Sequence, residues 1–266
     1  MPTHLPHVTL IGCGKMGSAM LRAWLSKNVI SKADIIDPND LPNEFSNNAK
    51  VNKIVEKDIN SDVIILAVKP QIIADIAENI NNNIKNNALI LSIAAGKKIS
   101  TLSDLFGTDK AIIRTMPNTP AAIGKGMSVS VAGKNVSQKQ KNMADNLLLA
   151  AGKSEWIDDE SLIDAITALS GSGPAYVFYL IETLAKAGES AGLSLELSKK
   201  LAHQTVIGSA ALAEHENNIS AEDLREKVTS PKGTTAAALS VLMDGRFQGI
   251  LNETINAATA RSKELN

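Results

Sequence analysis

The arrangement of three glycines near the start of the chain restricts the fold more than any other feature. Gly12, Gly14 and Gly17 follow a short apolar segment, residues 7–11, and precede a predicted helix over residues 16–27. At such a junction the first glycine permits a tight turn, and the third lets the helix pack against the strand. The second leaves room for a phosphate beside the free N–H groups of the first helical turn. The sequence therefore predicts a strand–turn–helix unit that binds a dinucleotide, although an ordinary glycine loop shows the same spacing.

Short apolar runs continue through the first half of the chain and alternate with segments of helical pattern. They cover residues 33–37, 62–68, 88–93, 110–114 and 127–131. Runs without alternating polar residues are buried on both faces, as in a parallel sheet that is covered by helices. Their alternation with helices indicates βαβ units. We therefore predict an α/β fold that begins with a Rossmann-like, mostly parallel sheet.

The second half of the chain shows no strand pattern from about residue 159 onward. The helices that we predict there cover residues 175–191, 195–214, 221–228, 235–243 and 245–265. Pro174 suits the first turn of the first of these helices. The change of pattern near Trp156 divides the chain into a dinucleotide-binding domain, residues 1–158, and an all-helical domain, residues 159–266.

Charge and composition exclude several classes of partner. The 27 basic and 28 acidic residues leave a net charge of −1, so the chain has no electrostatic footprint for nucleic acid or a membrane surface. Cys13 is the single cysteine, and neither His203 nor His215 has the spacing of a metal ligand. The sequence shows no pattern of a signal peptide or a membrane span. We expect a cytoplasmic protein with no resident metal, no nucleic-acid partner and no membrane partner.

Polar side chains at the carboxyl end of the second run are candidates for contacts with the cofactor ribose. Asp37 ends that run, and an acid there accepts hydrogen bonds from an adenosine ribose, although residues 37–40 also have the composition of a simple turn. Asn39 suits a ribose with or without a 2′-phosphate, and Lys32 and Lys50 are the candidate partners for such a phosphate. The choice between NADP and NAD therefore stays open.

Two further loops follow predicted strands at the same edge of the sheet, where open α/β sheets bind ligands. Lys69 and Pro70 follow one strand, and Pro70 sets the entry of the next helix. Residues 93–96 follow the next strand with small side chains, which let a flat nicotinamide ring lie against the backbone. Ordinary loop packing is the alternative interpretation of that segment.

Four segments together resemble the pyrroline-5-carboxylate reductase family. They are Ala-Val-Lys-Pro-Gln at 67–71, Arg-Thr-Met-Pro-Asn-Thr-Pro at 114–120, Gly-Ser-Gly-Pro-Ala-Tyr at 171–176, and Val-Thr-Ser-Pro-Lys-Gly-Thr-Thr at 228–235. They occur in the family's order and span most of the chain, and residues 261–265 resemble its terminal helix. The last two of the four are the most specific, because related dehydrogenases share the glycine turn and the Val-Lys-Pro loop.

The resemblance implies an activity, an assembly and a set of site residues. The activity is hydride transfer from NAD(P)H to 1-pyrroline-5-carboxylate, an imine carboxylate, which gives L-proline in the last step of proline biosynthesis. The helical domain is implied to dimerise, so that the protein is a homo-oligomer built on a dimer. The expected cofactor-binding residues are Gly12, Cys13, Gly14, Lys15, Met16, Gly17, Asp37, Asn39, Asn52, Ala67, Val68, Lys69, Pro70, Ile93, Ala94, Ala95 and Asn118.

The segment 230–235 carries the expected substrate chemistry. Hydroxyl residues at a helix N-terminus form a ready site for a carboxylate, and we predict Ser230, Gly233, Thr234 and Thr235 as substrate-binding residues. Thr235 matches the family's threonine beside the imine nitrogen and is the predicted catalytic residue. Helix capping alone is the alternative role of the two threonines. Ser172 and Gly173 either line the substrate pocket or serve close helix packing.

Two positions depart from the family pattern. Lys232 stands where the family commonly has a glycine, and a lysine is costly there if the backbone needs a positive φ. Lys227 stands where the family often has an asparagine beside the nicotinamide, so that contact is in doubt.

Two other functions compete with the reductase interpretation. A β-hydroxyacid dehydrogenase resembles this plan but carries a catalytic lysine early in its long helix, whereas here the first lysine of that helix is Lys186. A non-catalytic dinucleotide-binding protein is the other alternative, and the intact segment 230–235 argues against it.

Overall fold

The computed structural model describes residues 5–265 and places eight strands of this range in one sheet. The strands are β1 (His7–Ile11), β2 (Lys32–Ile36), β3 (Val51–Lys53), β4 (Val63–Leu66), β5 (Leu89–Ser92), β6 (Ala111–Met116), β7 (Gly126–Ala132) and β8 (Gly152–Trp156). Their order across the sheet is β3-β2-β1-β4-β5-β6-β7-β8. All neighbouring pairs are parallel except β6 and β7. The first six strands have the Rossmann order, so the predicted fold class is confirmed.

Eleven α-helices occur in the same described range. They are α1 (Lys15–Ser26), α2 (Asn43–Ser46), α3 (Ile73–Ile80), α4 (Ile99–Phe106), α5 (Gln138–Leu149), α6 (Ile163–Ile166), α7 (Gly173–Ser190), α8 (Leu195–His215), α9 (Ala221–Lys227), α10 (Thr234–Leu242) and α11 (Arg246–Glu264). A membrane-crossing helix would need a longer apolar stretch than any of those described.

Two apolar clusters cover the two faces of the sheet. On one face Trp24 of α1 is fully buried and its indole N–H donates to the Leu147 carbonyl, which links α1 to α5. On the other face Ile73 and Ile80 of α3 pack with Phe106 of α4. Burial on both faces explains the continuous apolar character of the central strands.

The sequence pattern did not reveal β3 and β8, and each omission has a physical reason. β3 has only three residues, of which Val51 alone is buried. β8 lies at the edge of the sheet, and its exposed Lys153 and Glu155 interrupt any apolar run. Edge strands pack one face only and therefore lack a continuous apolar sequence.

The chain divides into two compact units, residues 1–172 with 258–266 and residues 173–257. The division falls after Ser172 rather than at the predicted position after residue 158. Residues just beyond 158 are held to the sheet, because Glu160 accepts hydrogen bonds from the Arg114 side chain and from the Ile99 N–H, each at 2.8 Å. Asp164, which follows, accepts a hydrogen bond from Ser262 at 2.7 Å. These polar contacts, which periodicity cannot show, group both segments with the sheet.

Candidate active site

The glycine turn between β1 and α1 has a shape that side chains would destroy. Gly12 has a φ of 94°, and a Cβ atom there would lie 2.6 Å from the Ala67 carbonyl oxygen. A Cβ atom on Gly17 would collide with the Gly12 carbonyl oxygen. The turn is therefore closed against itself and against the loop that follows β4, and two of its three glycines are required by packing.

Gly14 faces open space and fits a different requirement. It has an ordinary extended conformation, with a φ of −71°, and a Cβ atom built on it meets nothing within 4 Å. Helix α1 begins at the next residue, Lys15, without a side-chain cap. The first N–H groups of a helix lack partners within that helix. An open glycine beside these donors suits the pyrophosphate of a dinucleotide, so the residues present fit such a cofactor.

Asp37 directly follows β2 and is hydrogen-bonded to the glycine turn. Its Oδ2 accepts a hydrogen bond from the Cys13 N–H at 2.7 Å, and its Oδ1 accepts from the Asn39 N–H at 2.8 Å. The Asn39 amide group donates to the same oxygen at 3.1 Å. Asp37 thus forms the turn that the alternative interpretation predicted, and it also holds the glycine turn through the Cys13 N–H. Asn39 is placed beside it.

The Cys13 thiol is a small buried group in this turn. Burial and, to a smaller extent, the Asp37 and Glu44 carboxylates together raise its pKa to about 11, although the Arg22 guanidinium acts in the opposite direction. The thiol therefore stays protonated at neutral pH, which agrees with a space-filling role.

Two cations on the segments around Asp37 have acidic partners. Arg22 of α1 donates through two nitrogens to the Glu44 carboxylate. Lys53, the last residue of β3, donates to the Asn39 carbonyl at 2.8 Å and lies 3.7 Å from the Asp40 carboxylate. Both residues lie at the edge of the sheet where Asp37 is placed.

The two lysines that the sequence suggested for a 2′-phosphate lie elsewhere, which corrects that interpretation. Lys32 is the first residue of β2, at the opposite end from Asp37, and its ammonium group is 2.9 Å from Asp34. Lys50 donates to the Ile30 carbonyl at 2.9 Å. In a parallel sheet only the carboxyl ends of the strands meet the ligand, and a strand of five residues extends over about 13 Å between its ends.

Asn52 is not brought to the glycine turn either. It pairs with Asp34, the central residue of β2, and its amide group donates to that carboxylate at 3.3 Å. Asp34 also contacts the His7 ring at 2.6 Å. The contacts of Asn52 are therefore those of a sheet residue, and its role toward adenosine stays a prediction.

The loops that follow β4 and β5 lie next to the turn because the strands continue into them. The Ala67 N–H donates to the Ile11 carbonyl at 2.9 Å, and the Ile93 N–H donates to the Leu66 carbonyl at 3.0 Å. The Val68 side chain packs against Gly12, beside the Ala67 carbonyl group. Lys69 is extended and Pro70 begins a short 3₁₀ turn that leads into α3. The structure thus brings together the glycine turn and residues 67–70 and 93–95.

Asn118, beyond β6, has its amide group engaged with the chain itself. It donates to the Ser170 carbonyl and hydroxyl, each at 3.2 Å, and accepts from the Met127 N–H at 2.8 Å. Ser170 lies in a π-helical turn, Thr167–Gly171, closed by the Ser172 N–H to the Thr167 carbonyl at 2.9 Å. These bonds leave the Asn118 side chain one free acceptor position, and its predicted role in cofactor binding stays a prediction.

Packing accounts for the first glycine of the Gly-Ser-Gly segment. A Cβ atom on Gly171 would lie 3.3 Å from the Met116 sulfur, whereas one on Gly173 meets nothing within 4 Å. The Met116 side chain thus limits the space at Gly171, and both interpretations of Ser172 and Gly173, pocket lining and close helix packing, stay predictions.

In the helical unit, residues 230–233 form a tight turn directly before α10. The Gly233 N–H donates to the Ser230 carbonyl at 3.0 Å, and Lys232, at the third position, has a φ of 61°. The position does need a positive φ, so the lysine carries backbone strain. Ser230 folds over the turn, because a Cβ atom on Gly233 would collide with its hydroxyl group.

Helix α10 begins without a side-chain cap, because its capping residue is Gly233. Thr234 and Thr235 are the first two helical residues, so neither of them caps the helix. Within residues 5–265, the hydroxyl groups of Ser230, Thr234 and Thr235 have no hydrogen-bond partner. Three unengaged hydroxyls beside free helical N–H groups have the donors that a carboxylate and one further polar atom require, so the predicted substrate role of these residues stays a prediction.

The fold and the glycine turn define a dinucleotide-dependent oxidoreductase of the Rossmann type. The family model for coenzyme F420-dependent NADP oxidoreductases matches residues 7–96, and the model for pyrroline-5-carboxylate reductase dimerisation matches residues 160–265. The pyrroline-5-carboxylate reductase of Pseudomonas aeruginosa is 41% identical over 202 residues, which cover 76% of this chain and 74% of that protein. This chain belongs to the pyrroline-5-carboxylate reductase family.

Solved structures give the same result over nearly the whole chain. The pyrroline-5-carboxylate reductase of Coxiella burnetii is 32% identical, with a TM-score of 0.92 and 99% of each chain covered. The Plasmodium falciparum pyrroline carboxylate reductase with NADP bound is 31% identical, with a TM-score of 0.84 and 98% of each chain covered.

Sequence reasoning missed two residues, Lys53 and Arg22, that the structure places near Asp37. Lys53 ends a strand too short to recognise, and Arg22 looks like any charged residue on an exposed helix face. Only their spatial contacts with Asn39 and Glu44 bring them near Asp37. No sequence signal identifies such pairs, because their members lie 14 and 22 residues apart.

Proposed function

We infer that this protein reduces 1-pyrroline-5-carboxylate to L-proline, the last step of proline biosynthesis, with a nicotinamide dinucleotide as the source of hydride. The observation that supports it is the intact turn at 230–233 with unengaged Thr235, in a chain with the Rossmann glycine turn. Purified protein is expected to oxidise NADH or NADPH only when 1-pyrroline-5-carboxylate is present. If the protein turns over 1-pyrroline-5-carboxylate with neither cofactor, the proposed function is wrong.

The proposed roles of the chain's residues follow from their donors. Gly14 and the first N–H groups of α1 bind the pyrophosphate, and the small Ala94 and Ala95 support the nicotinamide ring. The Ser230 hydroxyl and the first free N–H groups of α10, beginning with that of Thr234, bind the substrate carboxylate, which fixes the face of the ring that is reduced. Thr235 hydrogen-bonds the imine nitrogen. A threonine hydroxyl is a weak acid, so it orients and stabilises this nitrogen, and the proton comes from solvent or a protonated imine.

The alternative β-hydroxyacid dehydrogenase function lacks its lysine. Lys186 lies in the fourth turn of α7 and pairs with Glu182 at 2.6 Å on an exposed helix face. A surface i,i+4 pair of this kind is a common helix-stabilising contact and needs no catalytic explanation.

The protein is proposed to assemble as a dimer through its helical unit. In residues 173–257, which are all described, only Ala185, Ser198 and Ala202 are buried. Large apolar side chains such as Phe178 (65% exposed) and Ile250 (59% exposed) remain uncovered in the single chain. Exposed apolar surface of this extent marks a protein–protein interface. The cytoplasmic location stays a prediction.

We further propose that NADH is preferred over NADPH. Asp37 faces the ribose position with no cation paired to it in the described part of the chain, whereas Arg22 and Lys53 have acidic partners. A 2′-phosphate brought to this edge would meet an uncompensated carboxylate. The ratio of kcat/KM values for the two cofactors measures the preference, and a higher value for NADPH would contradict it.

Replacing Asp37 by asparagine is expected to move the preference toward NADPH. The change removes the negative charge but keeps an oxygen that accepts from Cys13. The kcat/KM ratio of NADH to NADPH should fall about tenfold, which corresponds to about 1.4 kcal/mol. Asp104→Asn is the matched control, because Asp104 is an exposed acid on α4 that has no part in the contacts around Asp37. An equal change in both variants would show a general charge effect instead.

Replacing Lys232 by glycine is expected to stabilise the protein. Glycine adopts a positive φ without the penalty that a Cβ atom brings, so the free energy of unfolding should rise by about 1 kcal/mol. Lys232→Met keeps the strained backbone and removes only the charge, so its melting temperature should stay at the wild-type value. Calorimetry of the wild type and the two variants measures these melting temperatures. An equal rise in both variants would show that the lysine charge, and not the backbone strain, destabilises the turn.

A further inference from the structure

The loop after β5 is buried almost throughout, and only one of its small residues reaches the surface. Ile93 and Ala94 are 8% and 5% exposed, and the Ala94 N–H donates to the Ser92 hydroxyl at 3.4 Å. Ala95 is half-buried, and Gly96 is buried again with a φ of 71°. The position of Ala95 therefore depends on the residues that pack against the neighbouring Gly96.

The backbone of Leu265 packs directly against Gly96. A Cβ atom on Gly96 would lie 2.6 Å from the Leu265 carbonyl oxygen and 3.1 Å from the Leu265 Cβ atom. Two backbones in direct contact leave no room for adjustment by a change of rotamer. A shift of Leu265 is therefore transmitted to the loop.

Leu265 is held in turn by a buried polar anchor at the end of α11. The Leu265 N–H donates to the Ser262 carbonyl at 3.2 Å. The Ser262 hydroxyl donates to Asp164 of α6 at 2.7 Å, and these two residues are only 5% and 7% exposed. A hydrogen bond to a buried carboxylate is stronger than one between neutral groups. It fixes the last turn of α11 to the sheet unit, to which residues 258–266 belong.

We propose that residues 262–265, anchored by Ser262 to Asp164, position the nicotinamide loop for hydride transfer. The inference rests on the proposed placement of the ring against residues 93–95. Affinity for the cofactor arises mainly at the phosphate end, in the glycine turn, whereas the rate depends on the orientation of the ring. Loss of the anchor therefore affects the rate more than the affinity.

Ser262→Ala tests the anchor, and Ser262→Thr is the conservative variant that keeps the hydroxyl. The alanine variant should lower kcat about tenfold while the Kd for NADH, measured by fluorescence titration, stays within about twofold. Deuterium at C4 of NADH should give a larger isotope effect on kcat, because the hydride step becomes slower. The threonine variant should restore kcat. Arg261→Ala is the matched control in the same turn, since its partner Glu264 is exposed.

Gly96→Ala disturbs the same contact from the loop side and should show the same split between kcat and Kd. Unchanged kcat in both Ser262→Ala and Gly96→Ala would overturn the proposal. Equal losses of affinity and rate would also overturn it, since they indicate general damage to the unit. If the wild-type protein does not reduce 1-pyrroline-5-carboxylate, the reductase function fails separately. The emission of bound NADH then decides: a change in Ser262→Ala supports a positioned ring, and an unchanged spectrum rejects it.

Discussion

Alanine at Gly14 is expected to remove most of the affinity for the cofactor without changing the stability of the protein. The residue has a backbone conformation that any residue adopts, and its Cβ atom would meet nothing within 4 Å. The free protein should therefore accept the methyl group at no cost. The same methyl group would occupy the space where the pyrophosphate approaches the backbone. The Kd for NADH should rise about 100-fold, or about 2.7 kcal/mol, as expected for an overpacked contact.

Two other glycines serve as comparisons for this prediction. Gly17→Ala should destabilise the unit itself, because its Cβ atom would collide with the Gly12 carbonyl. Gly208→Ala lies within α8, where the added methyl has only Gln204 nearby, at 3.9 Å, and should leave NADH binding unchanged. Melting temperatures and NADH titrations of the three variants measure both quantities. Wild-type affinity in Gly14→Ala would place the pyrophosphate elsewhere.

Alanine at Thr235 is expected to lower kcat for 1-pyrroline-5-carboxylate about 100-fold, the usual effect of losing one positioned polar group in a transition state. Thr235 does not cap α10, since Gly233 holds that position. Removal of its hydroxyl should therefore leave the helix intact. Affinity for NADH, which is bound by the glycine turn, should not change. Steady-state kinetics with saturating NADH and a melting curve separate these effects.

The neighbouring residue and the conservative variant supply the controls for Thr235. Thr235→Ser retains the hydroxyl and should keep most of the activity. Thr234→Ala removes a hydroxyl one position earlier in α10 and should raise the KM for the imine more than it lowers kcat. If Thr235→Ala and the wild type have the same kcat, the threonine has no role at the imine nitrogen.

The sequence predicted the central strands, the long helices and the glycine turn because each depends on local pattern. The strands and helices were recognised from the pattern of apolar residues alone, and Gly12 and Gly17 were recognised from their spacing alone. The family resemblance supplied Thr235, which pattern alone left as a possible cap. What the sequence did not predict are contacts between distant segments, such as Asp37 with Cys13 and Ser262 with Asp164. A single sequence carries no record of which distant residues meet.

Strained and weakly apolar segments were the other limit of prediction. The turn at Lys232 keeps its positive φ although lysine disfavours it, so tertiary context overrides local preference there. Asn52 matches a family position near the adenosine, but it lies in the middle of β3 and its amide group bonds to Asp34. Its role toward adenosine stays a prediction.

In the proposed dimer, the scarcity of buried side chains in residues 173–257 makes protein concentration a variable of the folding equilibrium. A segment that buries three side chains on its own gains little from hydrophobic burial, so the association of two copies contributes a large part of its stability. Its melting temperature should therefore fall on dilution, as for an obligate dimer. Substitutions on its outer apolar positions then act as core mutations, although in the single chain they lie at the surface.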